Sequence, residues 1–150
     1  MTGLPLKFDF EKVGRLDGRY LIREFAVSFI LLGQRYSRRE LFALDTGSPM
    51  TMLRWCAFEP PGGALLNDKG VKCVEVNGWG GKRYVHAIPD VHLADGQFSF
   101  TFPDAKIDRN LNGHSFSLLG TDFLKSFELS FSPAQGYALL TRSDDQEAAN

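Results

Sequence analysis

Leu6, Phe8 and Phe10 share one parity of the opening segment, while Lys7 and Asp9 take the other. A repeat of two is the period of a β-strand with one buried face. The same alternation returns at residues 71–76, Val-Lys-Cys-Val-Glu-Val, and long β-branched and aromatic runs cover residues 19–33 and 83–102. Between the runs stand Gly14, Asp17-Gly18, Asn77-Gly78, Gly80-Gly81 and Asp95-Gly96. Asn-Gly and Asp-Gly are strong hairpin signals, because the favoured two-residue turns need positive φ. Long helical stretches of Ala, Glu, Lys and Leu are missing, whereas 13 phenylalanines are present. Aromatic and β-branched side chains fit a pleated, half-buried surface. The pattern predicts an all-β domain of many short strands.

The remaining segments divide by composition. Residues 33–39, Gly-Gln-Arg-Tyr-Ser-Arg-Arg, read as a polar turn, residues 49–58 as a strand followed by a short turn, and residues 59–70 as a loop. Asp122 to Ser126 reads as one or two helical turns capped by Thr121. Residues 128–131 and 137–141 flank Ser-Pro-Ala-Gln-Gly and predict a closing hairpin. Residues 142–150 form a charged, polar tail that is expected to be disordered.

A length of 150 residues is one domain's worth. Seventeen basic against eighteen acidic side chains give no electrostatic case for a nucleic-acid partner or a membrane surface. Cys56 and Cys73 are too few for a disulfide scaffold or a zinc site and read as reduced, structural thiols. The N-terminus lacks the pattern of a signal peptide, and the longest apolar run, residues 25–33, is far short of a membrane span. The chain therefore reads as soluble and cytoplasmic. His86, His92 and His114 are not spaced as metal ligands. Neither a G-x-S-x-G elbow nor a phosphate loop occurs.

One stretch remains, residues 42–53, Phe-Ala-Leu-Asp-Thr-Gly-Ser-Pro-Met-Thr-Met-Leu. An Asx-type turn at a strand end accounts for an Asp followed closely by Gly. Chemistry is the competing account. Ala43-Leu44-Asp45-Thr46-Gly47-Ser48, with Leu118-Leu119-Gly120 and the short helix at Asp122 to Ser126, resembles the single-domain, retropepsin-like branch of the aspartic proteases. The resemblance runs over residues 20–141 in order of parts, and only these two motifs are specific. Residues 1–19 form an N-terminal extension with no clear counterpart, which can add a strand, cover an edge or alter a dimer.

The resemblance implies a closed retropepsin-like barrel with one short C-terminal helix and one lobe per chain. It implies an aspartic endopeptidase that uses no metal or other cofactor. Asp45, Thr46 and Gly47 would form the catalytic loop. No second Asp-Thr-Gly or Asp-Ser-Gly occurs, since the aspartates of Leu-Ala-Asp-Gly-Gln and Gly-Thr-Asp-Phe-Leu lack that context. The second carboxylate would come from Asp45 of another copy, in a two-fold homodimer. Two adjacent carboxylates share a proton, so one takes a proton from water while the other gives one to the scissile carbonyl.

Gly47 would let the backbone approach the carboxylate, and its N–H and that of Ser48 would donate to Asp45. Thr46 would bond across to the opposite loop, and the Ser48 hydroxyl would favour the ionised carboxylate. Trp79, Gly80 and Gly81 would form a flap over an extended peptide substrate. The strands of residues 127–131 and 137–141 would join the subunits. The alternatives are a non-catalytic dimerisation or peptide-binding module on the same fold, and an unrelated β-barrel with a coincidental turn.

Overall fold

The computed structural model describes residues 5–31, 33–58, 72–78, 81–96, 98–108 and 115–142. Strand β1 (Leu6–Val13) buries Leu6 and Phe8 and exposes Lys7 and Asp9, as its alternation requires. It forms a hairpin with β2 (Leu16–Leu31), with Val13 opposite Leu16. The turn is at Gly14, whose φ of 65° suits glycine. Asp17-Gly18, the stronger turn signal in sequence, lies inside β2 instead, where Asp17 pairs with Lys12.

β3 (Gln34–Leu44) runs antiparallel to β2, from Leu31 opposite Gln34 to Ile22 opposite Ala43. The polar segment read as a turn is therefore mostly strand. Its turn closes at Gly33, φ 80°. Most side chains of residues 34–39 stay exposed; Tyr36 stacks on Phe29, ring centroids 5.2 Å apart, and Arg39 pairs with Glu24 across the strands. Polar composition here marks a solvated hairpin arm rather than a turn.

The chain continues through β4 (Met52–Arg54), α1 (Trp55–Phe58), β5 (Lys72–Gly78), β6 (Gly81–Asp95) and β7 (Phe98–Asp108). It ends with β8 (Ser117–Leu119), α2 (Thr121–Leu124), β9 (Phe127–Ser132) and β10 (Tyr137–Arg142). The short turn expected after β4 is the single helical turn α1. Asp95 lies opposite Phe98, so the Asp95-Gly96 hairpin forms as read.

The strand order is β5-β6-β7-β4-β8-β3-β2-β1-β10-β9, and β6 also pairs with β2. That extra pairing, from Ala26 opposite Ala94 to Ser28 opposite His92, closes β2, β3, β8, β4, β7 and β6 into a six-stranded barrel. Closure gives each of the six barrel strands a neighbour on both sides, and the sheet ends only at β5 and β9. The interior holds Phe25, Val27, Phe42, Leu53, Ile88, Leu93, Ile107 and Leu119, all fully buried. Burying each such side chain contributes about 2 kcal/mol.

α2 follows Gly120, which is its N-cap, and no side chain caps it. Thr121 is its first residue rather than its cap. Phe123 anchors the turn against Phe25, Phe98, Phe100, Phe102 and Phe127. Beyond the barrel, β1, β10 and β9 extend the sheet, so the segment before Tyr20 contributes a strand paired to both β2 and β10. Arg142 closes β10; residues 143–150 lie outside the described residues, as do residues 59–70. Among the described residues no helix is long and apolar enough to cross a membrane.

Candidate active site

β3 delivers Asp45 to the point where it meets β8. The two strands are parallel, with Phe42, Ala43 and Leu44 beside Ser117, Leu118 and Leu119. β4 lies on the other side of β8, Met52 opposite Leu118. The strand Ser-Leu-Leu is thus wedged between the two arms of the loop that carries Asp45. The N–H of Asp45 donates to the Leu119 carbonyl at 2.9 Å, and its own carbonyl accepts the Ser48 N–H at 3.2 Å.

The half-buried carboxylate of Asp45 accepts the Gly47 N–H on Oδ1 at 3.0 Å. Thr46 and Gly47 are exposed at the tip. The hydroxyl of Ser48 donates to the Met50 carbonyl at 2.7 Å, so its proton is directed away from Asp45. The Ser48 N–H likewise reaches the Asp45 backbone rather than its carboxylate.

Gly47 brings the backbone to the carboxylate as expected, but a tighter approach, one that bars a Cβ, lies at Gly120. A Cβ on Gly47 would sit 3.4 Å from Asp45 Oδ1, an ordinary contact. A Cβ on Gly120 would lie 2.5 Å from the Met50 carbonyl oxygen and 2.8 Å from that of Ser48. The Ser48 carbonyl accepts the Thr121 N–H at 2.8 Å, which clamps the loop to the start of α2.

Sequence reasoning overlooked the brace beneath the loop. Buried Thr51 donates its N–H to Asp122 Oδ2 at 2.9 Å and its hydroxyl to Oδ1 at 2.8 Å. The Thr51 hydroxyl also accepts the Gly120 N–H at 3.1 Å. Asp122 Oδ1 takes the Phe123 N–H as well, at 2.9 Å. The aspartate of Gly-Thr-Asp-Phe-Leu therefore holds the Asp45 loop. The one signal for it in the sequence is an acid two residues after Gly120, in the first turn of the helix.

β5 and β6 form the hairpin that corresponds to the expected flap. Gly78 stands opposite Gly81, whose φ is 110°, and Gly81 is exposed. Trp79 and Gly80 lie outside the described residues. The inner face of the hairpin, Val74, Val76 and Val85, packs with Met50, Met52 and Leu118. These are residues of the Asp45 loop and its flanking strands, so the hairpin sits against the loop. Of these apolar residues only Leu118 belongs to a motif singled out from sequence; the others look like any other core.

His86 and His92 lie on β6, and Cys73 is free and exposed rather than buried; His114 is outside the described residues. The side chain of Cys56 is likewise outside them.

No protein-family model matches the chain, and no curated protein sequence does. Among solved structures, the crystal structure of a retropepsin-like aspartic protease from Rickettsia conorii is similar, with a TM-score of 0.56. The match is 15% identical and covers 95% of this chain and 92% of that one. At that identity the likeness carries the fold alone: the closed barrel with its short helix before the last hairpin is retropepsin-like.

Proposed function

We propose that the chain is one half of an aspartic endopeptidase, in which Asp45 of two copies activates a single water. The observation that carries this reading is the Asp45 carboxylate itself. It stands at a strand end in a retropepsin-like barrel, held by the Gly47 N–H and clamped through Leu119, beside a glycine-tipped hairpin. One carboxylate takes a proton from water as the other donates to the substrate carbonyl; close pairing makes them share one proton. Thr46, exposed at the tip, would bond to the same loop of a second copy. Gly81, with Trp79 and Gly80, would cover an extended peptide held by backbone hydrogen bonds. Met50, Val74, Val76 and Leu118 would receive an apolar side chain.

A homodimer is supported by β9. Phe127, Leu129 and Phe131 alternate with Glu128, Ser130 and Ser132, the pattern of a strand with a buried face. Leu129 and Phe131 stand opposite Leu140 and Ala138, which are buried, yet they are 52% and 48% exposed. β9 is also the end strand of its sheet. A second copy would cover that face.

The test is cleavage of a mixed peptide library between about pH 4 and 7, the span of a proton-sharing pair. Wild type and Asp45→Asn are compared, with dimer content followed by sedimentation. Cleavage by wild type alone, rising with dimer content, is expected. A stable dimer that cuts nothing would leave a peptide-binding module.

A further inference from the structure

The apolar side chains of the strands that frame Asp45 do little to set their register. β8 reads Ser-Leu-Leu, β3 ends Leu-Phe-Ala-Leu, and β4 and β8 are 3 residues each. Attraction between apolar side chains is non-directional. A short parallel strand that is apolar on both faces can shift along its neighbour with little loss of burial.

Besides the Thr51–Asp122 brace at the loop itself, a second polar cluster interrupts this surface one strand length away. Glu40, in β3, is 2% exposed. Its Oε1 accepts from Arg54 Nη2 at 2.7 Å and from the Leu41 N–H at 3.0 Å. Its Oε2 accepts from Arg54 Nε at 2.9 Å and from the Ser117 hydroxyl at 2.8 Å. Ser117 Oγ in turn accepts the Arg54 N–H at 2.9 Å. Glu40 belongs to β3, Arg54 ends β4 and Ser117 begins β8, so each of the three strands around Asp45 supplies one member.

A buried ion pair gains little net stability, because desolvation offsets the attraction; its best-attested use is to fix register. We infer that Glu40, Arg54 and Ser117 are positioning residues that lock β3, β4 and β8 in the one register that holds Asp45. A slip of β8 would take Ser117 from Glu40 and would move the Leu119 carbonyl away from the Asp45 N–H. Glu40 itself touches no reacting atom. The kinetic consequence rests on the endopeptidase reading, and the structural consequence does not.

The test compares wild type, Glu40→Leu/Arg54→Met, Ser117→Ala and Ser117→Thr by melting temperature, amide exchange at Asp45 and peptide cleavage. The double variant is expected to melt near wild type, yet to exchange the Asp45 amide about tenfold faster or more, since local opening is separable from global unfolding. Its kcat should fall about tenfold with KM little changed, as misplacement of a catalytic group predicts. Ser117→Ala should shift exchange in the same direction, and Ser117→Thr, which keeps the hydroxyl, should restore it. Wild-type exchange at Asp45 in the double variant or in Ser117→Ala would overturn the lock. So would a double variant that melts far below wild type with uniform loss of protection, which would make the cluster part of general stability. If wild type cuts no peptide, the endopeptidase reading fails, and the exchange result still decides the lock.

Discussion

Asp122 accepts both the N–H and the hydroxyl of Thr51, 2.9 and 2.8 Å away, and so joins the far end of the Asp45 loop to the first turn of α2. Removing the carboxylate leaves two donors of a fully buried residue without partners. Asp122→Ala should therefore cost about 3 kcal/mol, read as a lower urea midpoint. Asp122→Asn keeps one acceptor oxygen and should cost about 1 kcal/mol. Equal stability of both variants and wild type would contradict the brace.

Gly120 faces backbone atoms, which cannot rotate away as a flexible side chain would. Gly120→Ala should destabilise by about 1–3 kcal/mol, the range for overpacking a close contact. Gly47→Ala should cost well under that, because its Cβ would meet only Asp45 Oδ1 at van der Waals distance. Chemical denaturation of the two variants side by side checks the order. The reverse ranking would show that the tight approach lies at Gly47.

These two residues also mark what could be read in advance. The alternation of Leu6, Phe8 and Phe10 and the Asp95-Gly96 turn are local signals, and each reappears as the element it announced; the Asp-Thr-Gly-Ser stretch reappears as the turn that follows β3. What stayed hidden depends on partners far along the chain. Glycine at position 120 stands in sequence only as the end of Leu-Leu-Gly, and its close approach to Met50 exists only once β8 is wedged between β3 and β4. Glu40 reads as the solvated start of a strand until Arg54 and Ser117 enclose it. Gln34 to Arg39 failed for a different reason. Polarity there reports solvent on the hairpin arm, and solvent surrounds turns and exposed strands alike.

The uncovered row on β9 makes its own prediction. Leu129→Lys with Phe131→Glu should lower the melting temperature of the isolated chain only modestly, because both side chains are about half exposed and Phe131 meets the edge of the Phe10 ring. It should weaken self-association at least about tenfold by sedimentation, since central apolar side chains dominate interfaces. An unchanged dissociation constant would place any dimer contact elsewhere.

If two Asp45 carboxylates form one site, the inactive variant should poison the active chain. Mixing Asp45→Asn with wild type in equal amounts, with time for subunit exchange, distributes chains randomly among symmetric pairs. Cleavage per wild-type chain should then fall to about half. Cleavage that simply follows the amount of wild type would mean that each chain acts alone.

The parallel pairing of residues 42–44 with 117–119 also bears on how the molecule comes into being. Contacts so distant in sequence form slowly, because loop-closure entropy must be overcome before they return any stability. During synthesis the β1–β2–β3 meander can assemble from local contacts as soon as it emerges, with Phe25 and Phe42 still uncovered by the rest of the barrel. The Asp45 loop must wait for Leu119, Gly120 and Asp122. A nascent chain halted before Ser117 carries the entire Asp-Thr-Gly stretch and none of the geometry that holds it, so the site matures only once residues 117–122 have been added.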